Sequence, residues 1–140
     1  MPIKALLFDF GDTLIQTNNF DYDTCLRKVH KSLIKDNVTT PYEEFKNVYF
    51  DIRNRLYKET EDSLREAEFR LRITETLKHF GYSFKPEDEV IVRSADAFSD
   101  AFVSMMQMEP HLPKLLQQLK TKGKYKIGLV SNFAYPPTVK

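Results

Sequence analysis

Cysteine is almost absent: one residue in 140, Cys25, excludes an internal disulfide and fits a reducing compartment. Cys25 stands at helical spacing from Val29 and Leu33, which reads as a small buried apolar residue rather than a nucleophile. Long apolar runs are missing too. Nothing approaches the ~18 residues that span a bilayer, and the apolar stretch after Met1-Pro2-Ile3-Lys4 is too short for a signal-peptide core, so the chain reads as cytoplasmic. Nor is there an excess of charge of one sign. Twenty-one basic against 20 acidic residues leave +1, so no whole-chain field draws the protein to nucleic acid or to an anionic membrane. Three of the local run Lys120, Lys122, Lys124 and Lys126 fall in or just after the last turn of a helix ending near Gly123, where cations face its dipole. Internal repeats, low-complexity stretches and flexible Gly/Ser linkers are likewise absent.

What is present is apolar surface for one core: 41% hydrophobic and 13% aromatic residues. Ile3, Ala5, Leu6, Leu7 and Phe8 form a nearly unbroken apolar run closed by Asp9-Phe10-Gly11-Asp12, which predicts a short strand buried on both faces and then a turn. Lys126-Ile127-Gly128-Leu129-Val130-Ser131 has the same character and ends on Ser131-Asn132. Between them the spacing predicts helices. One starts near Asp21 to Thr24 and buries Leu26, Val29, Leu33 and Ile34. A second has Thr40 as N-cap, Pro41 in its first turn and Glu43 three residues after the cap, with Phe45, Val48, Tyr49, Ile52 and Leu56 on one face. A third carries Leu64, Ala67, Leu71, Thr74, Leu77 and Phe80 until Gly81 stops it, and a fourth runs from Pro86 through Ile91, Ala95, Phe98 and Phe102. The fifth opens at Pro113, buries Leu112, Leu115, Leu116 and Leu119, and ends at Gly123.

A helix leading directly into a second apolar strand is the αβ step of a parallel sheet. The connection between the two strands far exceeds the dozen or so residues such a crossover needs, so the central helices are expected to be an insert. The division expected is 1–16 with 107–140 as core and 17–106 as a helical subdomain. In an open parallel α/β sheet ligands sit beyond the carboxyl ends of the strands, where Asp9 and Ser131 are both delivered. A carboxylate there can attack phosphorus, a hydroxyl and backbone N–H groups can hold the phosphoryl oxygens, and a hard cation can neutralise them. His30, His79 and His111 have no mutual spacing that suggests a metal site and read as surface or helix-end residues.

These segments resemble the haloacid dehalogenase superfamily. Its first motif is an apolar strand followed by Asp-x-Asp-x-Thr or a close variant, matched here by Asp9, Thr13 and Leu14; its second is an apolar strand ending in Ser or Thr, often with Asn next, matched by Ile127 to Asn132. Glu109-Pro110-His111-Leu112-Pro113 before a leucine-rich helix is also typical. The resemblance implies a Rossmann-like parallel sheet, of which the first two strands are here, with an inserted helical cap that selects the leaving group. It implies Asp9 as nucleophile and Mg²⁺ ligand, the Gly11 carbonyl as a second ligand, Ser131 and the Asn132 N–H on the phosphoryl group, and Thr13 orienting the loop. The implied partner is a small phosphorylated metabolite.

Two departures bear on the chemistry. The family's phosphatases carry a second Asp two residues after the nucleophile as general acid/base; here that position is Gly11 and an Asp follows at Asp12. Loss of an acid/base typically costs ~10²–10⁴ in rate, and Asp12, in a tight turn, is expected to make a local bond to backbone instead. The family's later lysine and acidic pair lie beyond the second motif and are not found before Lys140. The expectation is therefore a truncated, proteolysed or split molecule, inactive alone, whose open sheet edge pairs with itself or with a missing C-terminal half. Two rivals accompany the phosphatase: a haloacid dehalogenase, in which Asp9 attacks carbon without Mg²⁺, and a non-catalytic binding or regulatory relative, which Gly11 favours.

Overall fold

The computed structural model describes residues 3–17, 19–61, 67–123 and 125–131. They divide into two compact units, one formed by described residues within Met1–Phe20 and Ser104–Phe133, the other within Asp21–Val103.

The first unit is mixed α/β. Strands β1 (Ala5–Phe8) and β4 (Lys126–Leu129) pair in parallel with Leu6 opposite Ile127 and Phe8 opposite Leu129. The ladder runs one step past each end, with the Lys126 N–H donating to Lys4 O and the Val130 N–H to Phe8 O, both at 2.9 Å. Burial on both faces is not what the strands show. The pleat sends Leu6 and Phe8 to one face, where they are half-buried, and Leu7 to the other, where it is 71% exposed. Leu129 is also exposed. Leu7 instead lies along Gly128, where an added Cβ would come within 2.8 Å of its Cδ2. An apolar run therefore marked the strand correctly but overstated its cover.

A pair not anticipated from the sequence joins β2 (Ile15–Gln16) to β3 (Gln107–Met108), antiparallel, where the chain leaves this unit and where it returns. Gln16 Nε2 donates to Glu109 Oε1 across it. Helix α5 (Leu112–Thr121) has Pro113 in its first turn and ends ahead of Gly123, whose φ of 62° is the left-handed conformation glycine adopts freely. Only Leu112 of its leucines is fully buried; Leu116 and Leu119 are half-buried and Leu115, expected inside, is exposed.

The second unit holds α1 (Tyr22–Lys35), α2 (Tyr42–Thr60), α3 (Phe69–His79) and α4 (Glu89–Ser104). Asp21 caps α1, its carboxylate accepting the Asp23 and Thr24 N–H groups. Cys25, Leu26, Val29 and Leu33 are fully buried, whereas Ile34, one step round the helix from Leu33, is 52% exposed. Burial pushes the Cys25 thiol up to about 11, so it stays protonated at neutral pH. Around them Phe45, Tyr49, Phe69 and Phe98 form an aromatic core, with Phe69 and Phe98 centroids 4.6 Å apart.

Two further expectations fail here. Thr40 does not cap α2: Pro41 takes the cap position with ψ of 138°, the helix starts at Tyr42, and Thr40 Oγ1 is buried with no hydrogen-bond partner among the described residues. His30 is not a surface residue. It is buried, and its Nε2–H donates to the Thr40 carbonyl at 2.7 Å, tying α1 to the connection before α2. His79 and His111 are exposed at helix ends as expected. Leu64 lies outside the described residues.

Candidate active site at the end of the parallel strands

Because β1 ends at Phe8, Asp9 is the first residue past the strand and is exposed at its carboxyl end. The Phe10 N–H donates to Asp9 Oδ1 at 2.7 Å, a short charge-assisted bond, and the Thr13 hydroxyl faces Oδ2 at 3.4 Å, long enough to align the carboxylate more than to tether it. The loop reverses tightly, with the Leu14 and Ile15 N–H groups both donating to the Phe10 carbonyl at 2.9 and 3.2 Å. Asp12 occupies the left-handed region at φ 54°, which aspartate tolerates better than most side chains.

A local backbone bond was expected of Asp12; among the described residues its carboxylate bonds to a side chain instead. Its Oδ1 accepts the Thr17 hydroxyl at 3.1 Å, so the carboxylate closes the loop through a side chain five residues on. No regular spacing links Asp12 to Thr17, and nothing in the sequence pointed to Thr17. Gly11, half-buried, has no atom within 4 Å of where a Cβ would sit, and its φ is not left-handed; the position has room for a carboxylate it does not carry.

Ser131 is exposed immediately after the last ladder bond of β4, so the register brings it out at the same end as Asp9, on a strand that neighbours β1 at the usual ~4.8 Å. Asn132 lies outside the described residues. The structure thus gathers Asp9, Gly11 and Thr13 in one loop and Ser131 at the adjoining strand end.

Among the described residues no group of three or more His, Cys, Asp or Glu side chains converges on one point. Asp9 and the Gly11 carbonyl are hard oxygen donors of the kind Mg²⁺ takes while keeping several waters. Asp12 has one oxygen, Oδ1, engaged by the Thr17 hydroxyl. The donors fit Mg²⁺ in kind, and Asp9 and Gly11 are the residues that would hold it.

Beside Thr13 the same unit carries a cleft of about 590 Å³ running along the first turns of α5, which the sequence reading missed because it assigned the helix's leucines to the interior.

Fold and loop together define an α/β protein that presents a carboxylate and hydroxyls at the carboxyl end of a parallel strand pair. No protein-family model and no curated protein matches the chain. One solved structure it resembles is that of the candidate HAD-hydrolase YfnB from Bacillus subtilis bound to magnesium, with 17% identity and a TM-score of 0.49, covering 94% of this chain and 53% of that one. The chain spans about half the length of that protein. Neither family nor activity follows from a likeness at this level. No helix among the described residues is long and apolar enough to cross a membrane.

Proposed function

We propose that the protein is a hydrolase of the haloacid dehalogenase type, a Mg²⁺-dependent phosphatase in which Asp9 attacks a small phosphorylated metabolite in the cytoplasm. The observation that carries the reading is the hold on Asp9: one oxygen fixed by the Phe10 N–H at 2.7 Å, the other facing Thr13, at the exposed end of a strand whose parallel neighbour delivers Ser131. A carboxylate so held is restrained rather than free to rotate, which suits a nucleophile. Thr13 limits its rotation, and Ser131 would donate to a phosphoryl oxygen, assisted by the Asn132 N–H. Mg²⁺ on Asp9 and the Gly11 carbonyl would supply positive charge against the phosphoryl oxygens.

The full-length protein with para-nitrophenyl phosphate and Mg²⁺ is expected to release nitrophenolate, and Asp9→Asn to lower the rate by on the order of 10⁴-fold or more, as loss of a nucleophile does. An unchanged rate in Asp9→Asn overturns the reading. Turnover of a chloro-acid without metal would point to the dehalogenase instead.

A second reading, a non-catalytic binding or regulatory relative, is favoured by one feature: Gly11 stands where the phosphatases have their acid/base, and Asp12 is occupied by Thr17. Mg²⁺-dependent turnover that Asp9→Asn abolishes removes it.

A further inference from the structure

Helix α5 places His111, Lys114, Leu115 and Gln118 at i, i+3, i+4 and i+7, so all four share one face, and that face lines the cleft of about 590 Å³ beside Thr13. The volume is that of a small-metabolite site. Three properties separate it from an ordinary solvated helix face. It is a shallow, open hollow beside Thr13, whose hydroxyl faces the Asp9 carboxylate. It contains an apolar strip, with Leu112 buried beneath and Leu115 46% exposed, which water alone would not favour. Its cation is uncommitted: Lys114 has no ion pair among the described residues, while the carboxylate of Glu109 on the same wall is turned to Gln16, which offsets none of its charge.

We propose that this cleft is a leaving-group subsite for phosphoesters whose alcohol half is a short stem ending in a second anionic group, the stem lying on Leu112 and Leu115 and the anion meeting Lys114, with His111 and Gln118 as hydrogen-bonding neighbours. The inference rests on the reading of Asp9 as the phosphoryl acceptor, since Thr13 belongs to both.

The test is a ¹H–¹⁵N NMR titration of the protein, in the presence of Mg²⁺, with 3-phosphoglycerate and with glycerol 3-phosphate, which lacks the carboxylate. Amides of Phe10 to Thr13 and of His111 to Gln118 are expected to shift together with 3-phosphoglycerate. It should bind about fivefold tighter than glycerol 3-phosphate, the amount a partly exposed ion pair supplies. Lys114→Ala should bring the two probes level and Lys114→Arg should restore the difference. Lys114 is exposed within a helix, so helicity by circular dichroism should be unchanged in both variants. Equal binding of both probes with shifts confined to Phe10 to Thr13 overturns the subsite and leaves the reading of Asp9 standing. Shifts confined to α5 overturn the reading of Asp9 and the leaving-group role with it. Binding of neither probe also overturns the proposal.

Discussion

Asp23 is held by three partners at once: Lys46 Nζ at 2.6 Å and the Tyr42 hydroxyl at 2.9 Å on Oδ1, and Arg27 Nε at 2.7 Å on Oδ2. Led by Lys46 and then Tyr42, they hold its carboxyl at about 2. The charged form is favoured in the folded chain, so its contribution is complete above the unfolded carboxyl's ordinary ~3.9 and is lost as pH falls towards 2. Asp23→Asn should therefore lower Tm at pH 7, and the gap to the parent protein should close as pH is taken from about 4 to about 2. A gap constant across that interval would show that Asp23 acts through packing alone.

Gly11 allows an equally local prediction. With open space around its absent Cβ and an ordinary φ, Gly11→Asp should fold with stability within about 0.5 kcal/mol of the parent. If acid–base help is what the loop lacks, Mg²⁺-dependent turnover should rise by up to ~10²–10⁴. No rise would mean that proton transfer is already supplied from elsewhere.

At the scale of elements, α4 is pinned by Phe98, which is fully buried and meets Tyr22 of α1 at 5.2 Å and Phe69 of α3 at 4.6 Å between centroids. Phe98→Ala should cost about 3–5 kcal/mol by denaturant unfolding, since three helices cannot all collapse into one void. A loss below about 1 kcal/mol would mean the aromatic cluster is plastic. Such helices were legible because their period is long and repeated: Leu26, Val29 and Leu33 alternate steps of three and four and are all buried. Periodicity faltered where two adjacent apolar residues competed for one inward direction, as Leu33 and Ile34 do. It also could not see β2 and β3, two residues each, too short to carry any period. At α2 the capping-box pattern was present in letters, but Pro41 kept its extended ψ, moving the helix start past the reach of Thr40.

For the whole molecule, the parallel order of β1 and β4 followed from one helix preceding the second strand, and with it the meeting of Asp9 and Ser131 at one end. What composition could not convey was how little of that sheet is covered. Apolar letters state a preference for burial, while cover depends on which elements lie against each face, and Leu7 and Leu129 remain exposed. The grip on Asp9 was foreseen through Thr13 but not through the Phe10 N–H, because a backbone amide leaves no mark in a sequence. The proposed chemistry requires an Asp9 carboxylate oxygen to bond to phosphorus. Its most direct test is to incubate the full-length protein with Mg²⁺ and acetyl phosphate, reduce any acyl phosphate with borohydride, and locate the modified residue by peptide mass spectrometry. Homoserine at position 9, absent from Asp9→Asn, is the predicted result; substrate turnover with Asp9 unmodified, or the same label persisting in Asp9→Asn, would contradict it.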